Sequence, residues 1–342
     1  MNPKIKNLVF ILIFCSLIAA VIYWDKVQVK KEETLRVPAG WQIILPEKEF
    51  FCLAIQGDIV WGGGKEGVFA IDRKGGTLIR ELTREPAFAY VKGLAVDKSG
   101  KLWIAHDRGL SVYDGKRFTD YDQSNSLPDI RTNSVYIDRA GRVWVGTWSG
   151  AAIYEAGKWR VLKKSGGLID DMVNVIFEDG RGGIWFGAYV APAGGASYLK
   201  DGKWQYFSTQ NGLPHNNASA IFEDKDGFIW IGTGLLDRGG AVQLEYAAGG
   251  YKIVKTLTKR EGLAGEKVRS IFQDRDGMFW FGSEYDGICL MLNGKRKVIT
   301  DKDGLSNPEV KVILQDEDGD LWLGTRAGLT RIKYGVYRQL LP

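Results

Sequence analysis

The sequence predicts an all-β fold: a seven-bladed β-propeller with four-stranded antiparallel blades, preceded by an N-terminal transmembrane helix. Three observations predict it. First, one tryptophan recurs at a near-constant interval, as Trp61, Trp103, Trp144, Trp185, Trp230, Trp280 and Trp322, so that successive residue numbers differ by 42, 41, 41, 45, 50 and 42. A period in the low forties, built of strands without helices, is the size of a propeller blade. Second, six repeats read D-x-x-G-x-φ-W, from Asp97–Trp103 to Asp316–Trp322. Third, no stretch after residue 40 keeps a 3.6-residue apolar spacing over eleven residues without a glycine or turn signal, which excludes a helical solenoid.

Each part of the repeat has a physical reason. An apolar strand such as VNVIF or ASAIF runs into the Asp, whose carboxylate can cap the backbone two residues on. The Gly supplies positive φ for a tight hairpin, and the next strand carries the Trp. The first repeat departs, with a shorter QGD turn before Ile59. Two residues after the Trp stands a Gly in six repeats and Ala105 in the second, as close packing on the next blade requires. Third strands follow as GVFAI, GLSVY, GAAIY, GASYL, GAVQL, GICLM and GLTRI, and fourth strands as KWRVL, KWQYF, YKIVK and VYRQL. Ring closure stays open at this level. Gly40–Leu45 and Val336–Leu341 both read as the outer strand of the last blade.

The N-terminus reads differently. Lys4 and Lys6 precede an apolar run from Leu8 to Trp24 that carries no charge. It is near the shortest helix able to span a bilayer core. No small-residue cleavage site follows Ala19-Ala20, and Tyr23-Trp24 suits the membrane interface. The expected organisation is therefore 1–36 as cytoplasmic stub, signal-anchor and juxtamembrane linker, and 37–342 as propeller. The propeller is expected on the extracytoplasmic side, periplasmic or extracellular.

Composition excludes several classes. The 46 basic and 41 acidic residues give a net charge of +5 without a basic stripe, so no nucleic acid is expected. Cys52 and Cys289 are isolated and read as buried thiols. With no Cys/His cluster, no metal and no cofactor are expected. Asp224-Lys225-Asp226-Gly227 resembles part of a calcium loop, but Phe222 and Thr233 occupy positions where ligands are needed, so the hairpin-turn reading is preferred.

The stretches DGRGGIWFGA, DKDGFIWIGT, DRDGMFWFGS and DEDGDLWLGTRAGL, with the connectors QNGLPHN, REGLAGE and DKDGLSNPE, resemble the two-component regulator propeller repeat family over most of residues 50–342. WD repeats are a poorer match, because no Asp follows the Trp. The resemblance implies an extracytoplasmic sensor region of the kind that often precedes a membrane helix and a histidine kinase, and that senses oligosaccharides. This sequence shows one set of seven repeats and no kinase, receiver or DNA-binding region. A signalling role is thus expected to run through a membrane signalling partner.

Loops between second and third strands share one face with the inter-blade connectors. There AYVAPAGG (188–195), TGLLDRGG (233–240) and SEYDG (283–287) depart most from the short TRAG form, and insertions on one face of a repeat protein mark its binding face. The candidate ligand-binding residues are Trp148, Tyr189, His215, Asp237, Arg238, Glu284, Tyr285 and Arg326, for an oligosaccharide or protein ligand. No catalytic residue is assigned. A propeller enzyme resembling streptogramin lyase, for which His106, His215 and Glu284 would be a partial set, and a structural scaffold are the alternatives. The shortage of convergent titratable groups favours recognition over catalysis.

Overall fold

The tryptophan repeat becomes a ring of seven sheets. In the computed structural model, which describes residues 37–341 apart from residue 85 and residues 190–192, each repeat forms one four-stranded antiparallel sheet. The innermost strands, in order around the axis, are Phe50–Gln56, Gly93–Val96, Thr132–Ile137, Val173–Glu178, Ala218–Glu223, Val268–Gln273 and Val310–Gln315. The sequence is all-β as expected. The apolar run 8–24 lies outside the described residues, and among those described no helix is long and apolar enough to cross a membrane.

The terminal alternatives resolve in favour of the N-terminal segment. Trp41–Ile44 pairs antiparallel with the third strand of blade 7, Gly328–Ile332, and completes that blade. The chain thus closes its own ring with a strand from its other end, which leaves no open edge between first and last blades. VYRQL, expected as an outer strand, is not one. Tyr334–Tyr337 forms a single helical turn, here α1. Its Tyr337 is fully buried against Trp280, ring centroids 5.6 Å apart.

The conserved spacing of Asp and Trp has one cause. In six blades the Trp indole N–H donates to the Asp carboxylate six residues earlier, at 2.8–3.1 Å. The other carboxylate oxygen accepts the N–H of the fourth residue on, for example Phe228 onto Asp224 at 2.9 Å. One side chain therefore closes the hairpin and satisfies the only polar atom of the buried Trp. Asp224, the calcium-like turn, uses its oxygens in this way, and no group of three metal-ligating side chains occurs among the described residues. In blade 1, where the turn is shorter, Gln56 Oε1 replaces the carboxylate and accepts from Trp61 at 2.8 Å.

The apolar core is divided into seven clusters, each formed between adjacent blades and each holding one repeat Trp. The cluster around Trp322 includes Phe50, Leu53 and Phe69, and so seals blade 7 to blade 1. The small residue after the Trp lets these faces meet. A Cβ added at Gly282 would stand 2.5 Å from the Val310 carbonyl of the next blade. Polar bonds circle the turn face as well. The turn of one blade donates to the last inner-strand side chain of the next, as in Arg139 N–H to Glu178 (2.8 Å), Lys225 N–H to Gln273 (2.9 Å) and Arg275 N–H to Gln315 (2.9 Å). Cys52 and Cys289 are free and buried, with burial raising both thiol pKa values.

Candidate ligand site at the propeller axis

A β-bulge in the inner strands aims one residue per blade at the axis. Pairing with the second strand slips by one residue in six blades, skipping Phe51, Asn133, Asn174, Ser219, Arg269 and Lys311. A bulged residue is freed from the ladder and turned out of the sheet. Lys92, directly before the inner strand of blade 2, is their counterpart, its N–H bonded to the Ala105 carbonyl at 2.9 Å. These seven residues, with Trp148, Met172 and Tyr189 at one end, line an axial cavity of about 290 Å³. Its charged lining residues are Lys92, Arg269 and Lys311, all cationic.

The cations differ in their partners. Lys311 is buried between Glu49 and Glu309 (3.1 Å to the latter), with its ammonium 4.6 Å from the Phe51 ring centre. Arg269 lies 3.9 Å from Glu284, which Lys267 also pairs. Burial opposes ionisation of Glu284, yet Lys267 and Arg269 hold its carboxyl below the ordinary range. Lys92 has a neutral partner instead: its Nζ donates to Asn133 Oδ1 at 3.1 Å. The same oxygen accepts the Trp148 indole N–H at 3.1 Å, while Asn133 Nδ2 donates to the Val173 carbonyl. Burial lowers the Lys92 pKa. Asp107 opposes that shift, and Arg131 and Arg269 add to it.

The mouth is walled by aromatics held on ionic supports. Arg131 stacks on Trp148, 4.4 Å from the ring centre, and is fixed by Asp129 at 2.7 Å. That pairing holds the Asp129 pKa down to about 2. Lys267 lies 5.6 Å from the centre of the Tyr189 ring.

Of the residues expected from sequence to bind ligand, Trp148 and Tyr189 line the cavity. Glu284 stands behind Arg269, and exposed Tyr285 donates its hydroxyl hydrogen bond to Glu284 at 3.1 Å. His215, Asp237, Arg238 and Arg326 do not line it. His215 accepts the Asn217 N–H at 3.0 Å, and burial, then Arg238 and Lys267, lower its pKa. His106 is buried with Nε2 3.0 Å from Ser111 Oγ, and it too lies outside the cavity lining. None of His106, His215 and Glu284, the set considered for lyase chemistry, lines the cavity. The bulge residues escaped the loop-length argument. The signal for them is positional: six stand eleven residues before the repeat Trp, as Lys311 before Trp322, and Phe51 stands ten before Trp61.

Fold, turn chemistry and axial cavity together define a β-propeller whose axial cavity gathers one residue from every blade. Segments 126–149, 212–234, 262–285 and 304–327 match the model of the two component regulator propeller, so that repeat recurs in at least four of the seven blades. Among solved structures, the extracellular domain of BT4673 from B. thetaiotaomicron, described as a one-component system, is similar with a TM-score of 0.71 at 19% identity. That similarity covers 86% of this chain and 40% of the other, so this chain spans well under half that length. A catalytically inactive virginiamycin B lyase from Staphylococcus aureus, with quinupristin, has a TM-score of 0.66 at 14% identity, covering 86% and 98%. PorZ, a surface component of the type-IX secretion system of Porphyromonas gingivalis, has a TM-score of 0.63 at 13% identity, covering 83% and 46%. At these identities the likeness is one of fold. No curated protein matches the sequence.

Proposed function

We propose that the chain is a membrane-anchored, extracytoplasmic recognition module that binds a ligand at the axial mouth and acts as the input of a sensor-type system, with signalling output on a partner. The observation that carries this reading is the axial cavity. The Asp–Trp turn recurs in six blades, yet the seven axial positions hold Phe, Lys, Asn, Asn, Ser, Arg and Lys. A surface needed only for closure has no use for five kinds of side chain at seven equivalent positions around one concave space, whereas ligand sites are concave with a few placed polar groups. The apolar run 8–24 supports the anchor, with 37–342 outside the membrane. The fold shared with an extracellular domain is in keeping with the extracytoplasmic side.

The test is thermal unfolding of the purified full chain against a panel of neutral and charged oligosaccharides, since a ligand that prefers the folded state raises its midpoint. A Trp148→Ala, Tyr189→Ala double variant is expected to lose the rise given by any binder. A rise that survives the double substitution overturns the axial site.

A further inference from the structure

Three cations line the cavity, but two are answered by carboxylates of this chain. Lys311 sits between Glu49 and Glu309, and Arg269 faces Glu284. Lys92 enters no ion pair among the described residues. An ammonium carries three donors, and one of those on Lys92 is taken by the Asn133 amide oxygen. A half-buried ammonium without a counter-ion is costly, and like charges nearby add to the cost. Arg131 and Arg269 both bear on Lys92, and Asp107, whose field opposes them, is not within ion-pair distance.

Asn133 gives this charge a direction. Its side chain is buried, and its oxygen accepts from Lys92 and from the Trp148 indole at 3.1 Å each. The ammonium and an aromatic plane are thereby fixed side by side at the cavity wall. Trp148 itself is 38% exposed and faces solvent at the mouth. Around the rest of the cavity, Asn174 and Ser219 bring neutral hydrogen-bonding groups. An anion with a hydroxylated ring answers each of these features: charge for Lys92, a ring face for Trp148 and hydroxyls for the amide and hydroxyl. At about 290 Å³ the space holds one ring-sized unit. That is the lower end of the roughly 300–1,000 Å³ of small-molecule sites.

We infer that the axial cavity takes a hexuronate unit, its carboxylate on Lys92 and its ring against Trp148. This names the ligand class of the recognition site proposed above and rests on that reading.

The experiment is calorimetric titration of the full chain with glucuronate, glucose, acetate and inorganic phosphate, on wild type, Lys92→Gln, Lys92→Arg and Trp148→Ala. Glucuronate is expected to bind at least tenfold more tightly than glucose. Lys92→Gln should bring glucuronate down to the level of glucose, and Lys92→Arg should keep it. Trp148→Ala should weaken glucuronate but leave acetate unchanged. Without ligand, Lys92→Gln should unfold at the same temperature as wild type or higher, because it removes a crowded ammonium. A lower unfolding temperature would mean that Lys92 supports the fold instead. Equal binding of glucose and glucuronate, or unchanged glucuronate binding in Lys92→Gln, overturns the inference. Phosphate binding as tight as glucuronate and indifferent to Trp148 overturns the sugar assignment in favour of a bare anion. A neutral oligosaccharide that depends on Trp148 and Tyr189 while glucuronate is inert sinks the inference and leaves the recognition reading standing. Silence of both panels sinks both.

Discussion

The two ends of each inner strand have been shaped by different demands. At the turn end, six blades repeat one device, an Asp that closes a hairpin and accepts from a buried Trp. At the mouth end, eleven residues earlier in most blades, the bulged position differs almost from blade to blade. The turn end is where neighbouring blades lock together, so any change is felt by the packed interface. The bulged residue is released from the ladder and faces open space, so side-chain chemistry is free to vary there without unmaking a strand. Repetition marks what the ring needs to exist, and variation marks where its side-chain chemistry is free to change.

Closure tests the first half of that contrast most severely. Removing residues 37–46 deletes the outer strand of blade 7 together with Trp41, which packs in the cluster shared by blades 6 and 7. The edge Gly328–Ile332 would lose its partner, leaving a row of unpaired backbone groups. The loss should exceed ~5 kcal/mol, since a buried Trp alone accounts for about 3–5 kcal/mol. Gel filtration and urea unfolding are expected to show association or an early transition. A midpoint equal to that of the intact chain would mean that the ring closes without this strand.

Within the turn ring, Asp179 and Gln56 sharpen the comparison. Asp179 is fully buried and accepts from the Trp185 indole (3.1 Å), the Tyr251 hydroxyl of the next blade (2.8 Å) and two backbone N–H groups. Gln56 accepts from Trp61 as a neutral group and donates to the Gly100 carbonyl at 2.7 Å. Bonds to a charged acceptor are worth more, and each orphaned buried donor adds its own cost. Asp179→Ala should therefore cost about 2–4 kcal/mol and Gln56→Ala about 1 kcal/mol by urea titration. Equal costs would show that the Asp repeat reflects hairpin closure alone and not the bond to Trp.

How much of this was legible in the sequence follows from the same division. The fold could be read because Asp, Gly and Trp do the same work in every blade, so their spacing is a signal by itself. Trp148 and Tyr189 could be singled out because they are aromatic residues in loops where the repeat form has Arg or nothing bulky. Lys92, Asn133 and Arg269 were not, since a bulge is a slip in pairing between two strands; their constant distance of eleven residues before the repeat Trp marks the position only once the bulge is known to turn it to the axis. Asp237 and Arg326 entered by loop length and exposed charge, which place a residue on a face but not at the axis. Closure was ambiguous because GWQIIL and VYRQL carry the same alternation. What separates them is that Tyr337 is wanted inside, where it meets Trp280 and accepts from Gln315 at 2.6 Å.

His106 is a smaller exception on the repeating side, and it reports on protons. It stands three residues after the repeat Trp, where three other blades have Thr147, Thr233 and Thr325, each donating to the carbonyl of a glycine three to seven residues on. Burial, reinforced by Arg84, pushes the His106 pKa from 6.5 down to about 4, although Asp107 and Asp120 pull the other way and Arg108 adds to the fall. The ring is therefore neutral in the fold and gains a proton more readily once unfolded. The unfolded chain binds more protons between these two values, so stability is complete above pH 6.5 and falls as pH drops towards 4. The loss should be about 1 kcal/mol at pH 5.5 and at most ~3 kcal/mol near pH 4, where other carboxylates begin to contribute. His106→Thr installs the residue found in three other blades and should flatten the difference in urea midpoint between pH 7 and pH 5.5. If the variant keeps the wild-type slope, the acid sensitivity belongs to the carboxylates of the turn ring rather than to His106.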